Sequence, residues 1–141
     1  MVTTTDLRIA LQTVGLCGRN ERITSSSELM IRLAKGMVDG VVHILDGRNK
    51  KDVVAVLKKH LRLSADEDAE TSYNSLRTIA SLDIAPDLGA FKNVQRIAAK
   101  INPKIGQVDV NEAINLSVVK SLEDSGYLAE ARKIVALSSG R

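Results

Sequence analysis

Hydrophobic positions along this chain recur mostly at three- and four-residue spacing, the period of a helix with one buried face. The clearest run is "SSSELMIRLAKGMVDGVVHIL". Leu29, Leu33, Met37, Val41 and Ile44 form one stripe, and Met30, Ala34, Val38 and Val42 form a second. Two stripes predict a central helix buried on two sides. Ser25 stands three residues before Glu28, the spacing of a capping box. Gly36 and Gly40 lie four apart and weaken the helix intrinsically, which predicts that another element approaches closely there.

The same reading continues downstream. After the turn "DGRN", Asn49 is an N-cap candidate for a helix burying Val53, Val54, Val56, Leu57 and Leu61. Ser64 and Glu67 repeat the capping-box spacing and open a helix through Tyr73, Leu76 and Ile79. "SLDIAP" is a connector. Pro86 and Asp87 suit the first turn of a helix through Phe91, Val94, Ile97, Ala98 and Ile101, which ends at "NPKIG". In "INLSVVKSLEDSGYL", Asn115 is near the cap, while Leu116, Val119 and Leu122 share a face. Gly126 sits where a left-handed residue ends a helix, with Tyr127 folding back on Leu122. "AEARKIVALSSGR" adds a turn or two before a fraying tail.

The N-terminal stretch stays open. Leu7, Ile9 and Leu11 alternate as in a strand, whereas Leu7, Ala10, Leu11 and Val14 fit one helical face. "GLCGRNERIT" reads as a loop. The expected fold is therefore all-α, an array of about five helices with at most one short N-terminal strand. The segments are 1–23, a strand or helix and loop; 24–128, the helical body; and 129–141, a short helix and tail.

Composition narrows the chemistry. Aromatics are only 2 % of 141 residues, so the core must be aliphatic. Net charge is +3, too mild for a polycationic nucleic-acid binder. Cys17 is the single cysteine, which excludes an intrachain disulfide and is expected to pack as a small buried hydrophobe. No apolar run approaches a membrane span, and the first residues lack the pattern of a signal peptide.

Catalytic and metal-binding constellations are missing from the pattern. His43, between Val42 and Ile44, is expected to be packed, and His60 in "KKHLR" to be solvated; neither has a ligand partner at metal spacing. No catalytic residue, metal ligand or cofactor is expected, and the chain is read as non-enzymatic. The densest basic feature comprises Arg48, Lys50, Lys51, Lys58, Lys59, His60 and Arg62. With the next helix it imitates a helix-turn-helix. That helix, however, opens with Asp66, Glu67, Asp68 and Glu70, which phosphates would repel. No nucleic acid is expected; a self-contained helical interaction module, nucleic-acid binding included, is the alternative.

In order, "LAKGMVDGVVHIL", "DVVAVLKKHLRLSADEDAETSYNSL" and "NVQRIAAKINPKIGQVDVNEAINLSVVKSLEDSGYL" resemble the C-terminal part of solute-binding proteins of ABC importers. The branch is the one serving nitrate, sulfonate, taurine and thiamine-pyrimidine-like ligands. The resemblance covers residues 24 to 128 and implies the C-terminal helical segment of a two-lobed α/β binding protein. Its partners would be a small-molecule ligand and an ABC permease, both through the full-length parent in the periplasm or outside the cell. The stretch before residue 27 falls where that family crosses between lobes near the ligand cleft. The resemblance thereby places candidate ligand contacts at Arg19, Asn20 and Thr24. A segment without its lobes has an orphaned apolar face, so self-association is expected.

Overall fold

The structure, a computed structural model, describes residues 15–139. Among them it is all-helical, as the periodicity predicted, with no strand. The strand-or-helix stretch from Leu7 to Val14 lies outside the described residues. Eight α-helices follow in order: α1 Asn20–Ser25, α2 Ser27–Leu45, α3 Lys50–Leu61, α4 Asp66–Ile79, α5 Leu88–Ala98, α6 Val110–Ala113, α7 Ser117–Asp124 and α8 Tyr127–Ser139. Short 3₁₀ turns at Gly47–Asn49 and Pro103–Gln107 lead into α3 and α6.

The main core gathers on one side of α2. Ala34 and Val38 of α2 meet Leu122 of α7, Leu128 and Ala131 of α8, and Leu82 from the connector after α4. Ile31, Val41, Val42 and Leu45 complete the α2 contribution. These positions cluster on one helical side because residues three, four and seven apart point the same way. A second, smaller core joins α3 and α4 through buried Val53, Ala69 and Tyr73. A third lies where α5 meets the 3₁₀ turn and α6, around Ala90 and Val110.

Several expected starts move. Ser25 ends α1 rather than capping α2, and its hydroxyl donates to the Arg22 carbonyl at 3.4 Å. "NERITS" is helical, so the predicted loop is shorter, and only Ser26 separates α1 from α2. Asn49 is the N-cap residue of α3, as expected, but its side chain makes no cap bond; its amide donates to the His43 carbonyl at 3.3 Å. Ala65, not Ser64, precedes α4. There, Lys58 at the end of α3 pairs with Asp66 at 2.5 Å and ties the two helices together. Asp87 does cap its helix, accepting from the Ala90 N–H at 2.8 Å. Asn115 accepts from the Ser117 N–H at 3.0 Å.

Gly126 has φ 74° and ends α7 in the left-handed conformation, as predicted. Tyr127 then starts a new helix instead of an exit. α8 runs 13 residues, well beyond the expected turn or two, and crosses residue 128 without a break. Leu128 and Ala131 explain the length, because both are buried in the main core and hold the helix on α2.

Burial is less complete than the stripes suggested. Val56, Leu61, Ile79, Ile97, Ile101 and Leu116 were expected inside, and all are exposed. Each lies on a helix or turn face that no other described element covers. Cys17, expected to be buried, is exposed, with its thiol 3.8 Å from the Gly15 carbonyl. His43 is not packed inside; its ring faces out and shares a 2.8 Å contact with Asp52 at the start of α3.

Candidate interaction surface

The two apolar stripes of α2 do not divide cleanly: Val41 of the first joins Ala34, Val38 and Val42 of the second at the core, while Leu29, Leu33 and Met37 stay open. Successive helical residues turn by about 100°, so Ile31, Ala34, Val38 and Leu45 share one side and Leu29, Leu33, Gly36 and Gly40 the other, with Met37 at its margin. The first side is the core. On the second, Leu29, Leu33 and Met37 remain 43 %, 46 % and 46 % exposed. The expectation of a helix buried on two sides is therefore corrected to one.

Gly36 and Gly40 lie on the open side. A Cβ added at either would meet nothing within 4 Å, so no described element makes the close approach predicted for them. The helix thus retains two propensity-lowering residues without a packing reason among the described residues.

A narrow polar ribbon separates the faces: Glu28, Arg32, Lys35, Asp39 and His43. Its middle anchors α8. The Tyr127 hydroxyl donates to the Asp39 carboxylate, and the Lys35 ammonium lies 4.9 Å from the Tyr127 ring centroid. Donating to that carboxylate holds the Tyr127 pKa above its ordinary value, with burial adding to the effect. Arg32 and Glu28 have no ion-pair partner among the described residues.

The C-terminal end of α2 is closed by charge. Buried Asp46 accepts from the Arg48 N–H at 3.0 Å and from its guanidinium at 2.6–3.0 Å. These bonds pull the Asp46 pKa from 3.8 to about 2 and raise that of Arg48. Arg77 of α4 reaches across to the Leu45 carbonyl at 3.2 Å, satisfying one of the orphan acceptors of a helix end.

Concave features are slight. A depression of about 370 Å³ is lined by Leu45, Ala80, Ser81, Leu82, Arg132, Val135 and Ala136. Arg132 already donates to the Leu82 carbonyl there. Another of about 570 Å³ lies among Arg19, Glu21, Arg22 and Ser25 at α1. The candidate ligand contacts fall in this region without converging. Arg19 lines the depression and pairs with Glu21 at 3.6 Å, both side chains 87 % exposed. Asn20 accepts from the Asn115 amide at 3.4 Å, and the Thr24 hydroxyl donates to the Asn20 carbonyl. Among the described residues no three His, Cys, Asp or Glu side chains gather as metal ligands. No helix there is long and apolar enough to cross a membrane.

The basic feature around α3 is partly paired. Lys50 pairs with Glu70 at 2.7 Å and Lys58 with Asp66 at 2.5 Å, and Lys58 lowers the Asp66 pKa. Two of the carboxylates that spoiled a recognition helix, Asp66 and Glu70, are the groups that occupy these two lysines.

The accessible surface is 10567 Å², against about 7,100 Å² for a compact folded chain of 15.2 kDa. Counting the sixteen undescribed residues at full unfolded exposure, about 2,500 Å², still leaves roughly 1,500 Å² more than a compact body of the remaining size would show. Much apolar surface is uncovered, the α2 face included. No family model matches the chain, and no curated protein or solved structure is found to be similar to it.

Proposed function

We propose that this chain is a non-catalytic, helical C-terminal segment of an ABC-importer solute-binding protein. Its role there is structural: α2 supplies an apolar face that packs against the lobes of the parent and steadies them around the small-molecule ligand. Ligand uptake and contact with the permease belong to the parent, in the periplasm or outside the cell. The observation that carries the reading is the outer face of α2, where Leu29, Leu33 and Met37 stand nearly half exposed beside two open glycines. A face of that kind suits a second packed body better than water. Its support from the sequence is the ordered resemblance over residues 24 to 128.

The pairing of Lys50 with Glu70 and of Lys58 with Asp66 weighs against the nucleic-acid alternative. Anisotropy of a labelled oligonucleotide is expected to stay flat at low salt. The leading reading is tested at the gene. The expected result is a frame continuing upstream of Met1 into α/β-patterned lobes preceded by an export signal. A stop codon closing that frame, with no such lobes encoded beside it, would overturn the proposal.

A further inference from the structure

We infer that two copies of this chain pair through the outer faces of α2, antiparallel, about a two-fold axis between Gly36 and Met37. The inference concerns the 141-residue chain by itself, whose outer α2 face no described element covers; in a full-length parent the lobes would take that face instead.

The face is complementary to its own reverse. Antiparallel pairing about that axis sets residues whose numbers sum to 73 opposite one another. Leu33 then faces Gly40 of the second copy on the same flank, so a large side chain meets the gap left by a missing one, and Met37 lies level with Gly36 at the margin of the seam. Leu29 falls opposite Ile44, closing both ends with aliphatic contacts. Those gaps are real in the single chain, because nothing lies within 4 Å of a Cβ added at either glycine. Helix axes separated by the usual 8–10 Å can come closer where glycines replace side chains.

The polar ribbon selects the direction. Along one flank the charges run Glu28, Arg32, Asp39, His43. Antiparallel pairing brings the same flank of each copy together in reverse. Arg32 then comes to within about two residues, roughly 3 Å along the axis, of Asp39 of the second copy. Glu28 comes as near to His43. Parallel pairing in register would instead lay the ribbon of each copy along the apolar margin of the other at Met37 and Ile44, where no charge opposes it. Arg32 and Glu28 are the two ribbon residues without a described charge partner or ring contact, so they are free to make these contacts.

The test is absolute mass by light scattering on the full chain across a concentration series. The expected result is a shift towards twice 15.2 kDa as concentration rises. Gly40→Leu fills the gap opposite Leu33 without a clash inside the chain. It is expected to weaken pairing about tenfold or more while the unfolding temperature holds or rises, a combination that misfolding cannot produce. Orientation is read by disulfide trapping in a Cys17→Ser background. Met37→Cys is expected to cross-link, since the two copies lie about 1.5 Å apart along the axis. Leu29→Cys, about 22 Å apart, is expected not to. A chain that stays monomeric throughout, including one captured only by another polypeptide, overturns the pairing. So does association indifferent to Gly40→Leu, or trapping through Leu29→Cys but not Met37→Cys.

Discussion

The two faces of α2 are both apolar and have opposite surroundings. Val38 is 1 % exposed among Leu82, Leu122 and Leu128, while Leu33, five residues earlier, is 46 % exposed. Hydrophobic pattern alone says that a face wants burial; it does not say which body provides it. For the inner face that body is α7 and α8, brought back by the turn at Gly126. For the outer face no described element provides it. That difference is why the protein is better read as a packing unit than as a closed domain.

The contrast breaks most sharply by truncation. Leu122→Ala, at a site with 0 % exposure, is expected to cost about 2–5 kcal/mol through lost transfer energy and a cavity. Leu33→Ala is expected to stay within about 0.5 kcal/mol in dilute solution. Urea unfolding followed by circular dichroism measures both. Equal losses would mean that the outer face is already covered.

A smaller effect of opposite sign sharpens the comparison. Gly36→Ala on the open face is expected to stabilise the dilute chain by up to about 1 kcal/mol, because Ala is the better helix former and meets no neighbour. Gly126→Ala is expected to destabilise by about 1 kcal/mol, because φ 74° strains any side chain. Thermal unfolding of the pair reads the two signs.

The end of α2 adds a pH dependence. The Asp46 pKa is lowered in the folded chain from 3.8 to about 2, so its contribution is present above pH 3.8 and lost as pH falls towards 2. Asp46→Asn is expected to remove that part of the acid dependence, flattening stability between those values in an acid titration at fixed urea. The smallest change is expected at Tyr73, whose hydroxyl is buried without a hydrogen-bond partner. Tyr73→Phe removes an unsatisfied polar atom, so the unfolding midpoint should hold or rise slightly.

Much of the fold was legible in the sequence. The all-helical class, the α2 boundaries near 27 and 45, the Asp87 cap and the Gly126 ending all follow from local signals that tertiary packing did not contest. The capping boxes at Ser25 and Ser64 failed for a local reason. The helix of α1 continues almost unbroken into α2, and Ala65 takes the N-cap position of α4 while Lys58 serves its first turn through Asp66. The length of α8 was hidden because Leu128 and Ala131 reveal a core face only once α2 is known to lie beneath them. Which side of α2 is covered could not be read at all, since both are apolar. Arg19, Asn20 and Thr24 lie near one another on α1, but their polar groups turn to one another or to neighbours rather than into a cleft. The tie between Tyr127 and Asp39, 88 residues apart, left no local trace.

The central claim is that the outer face of α2 is open within one chain and is covered by another body. Carbene footprinting read by mass spectrometry at residue level, over a dilution series, tests it directly. The account expects Leu29, Leu33 and Met37 to label strongly when dilute and to become protected on concentration, with Val38 and Leu122 unlabelled throughout. Protection of the outer face at the lowest concentration, or labelling that never falls at the highest, would contradict it.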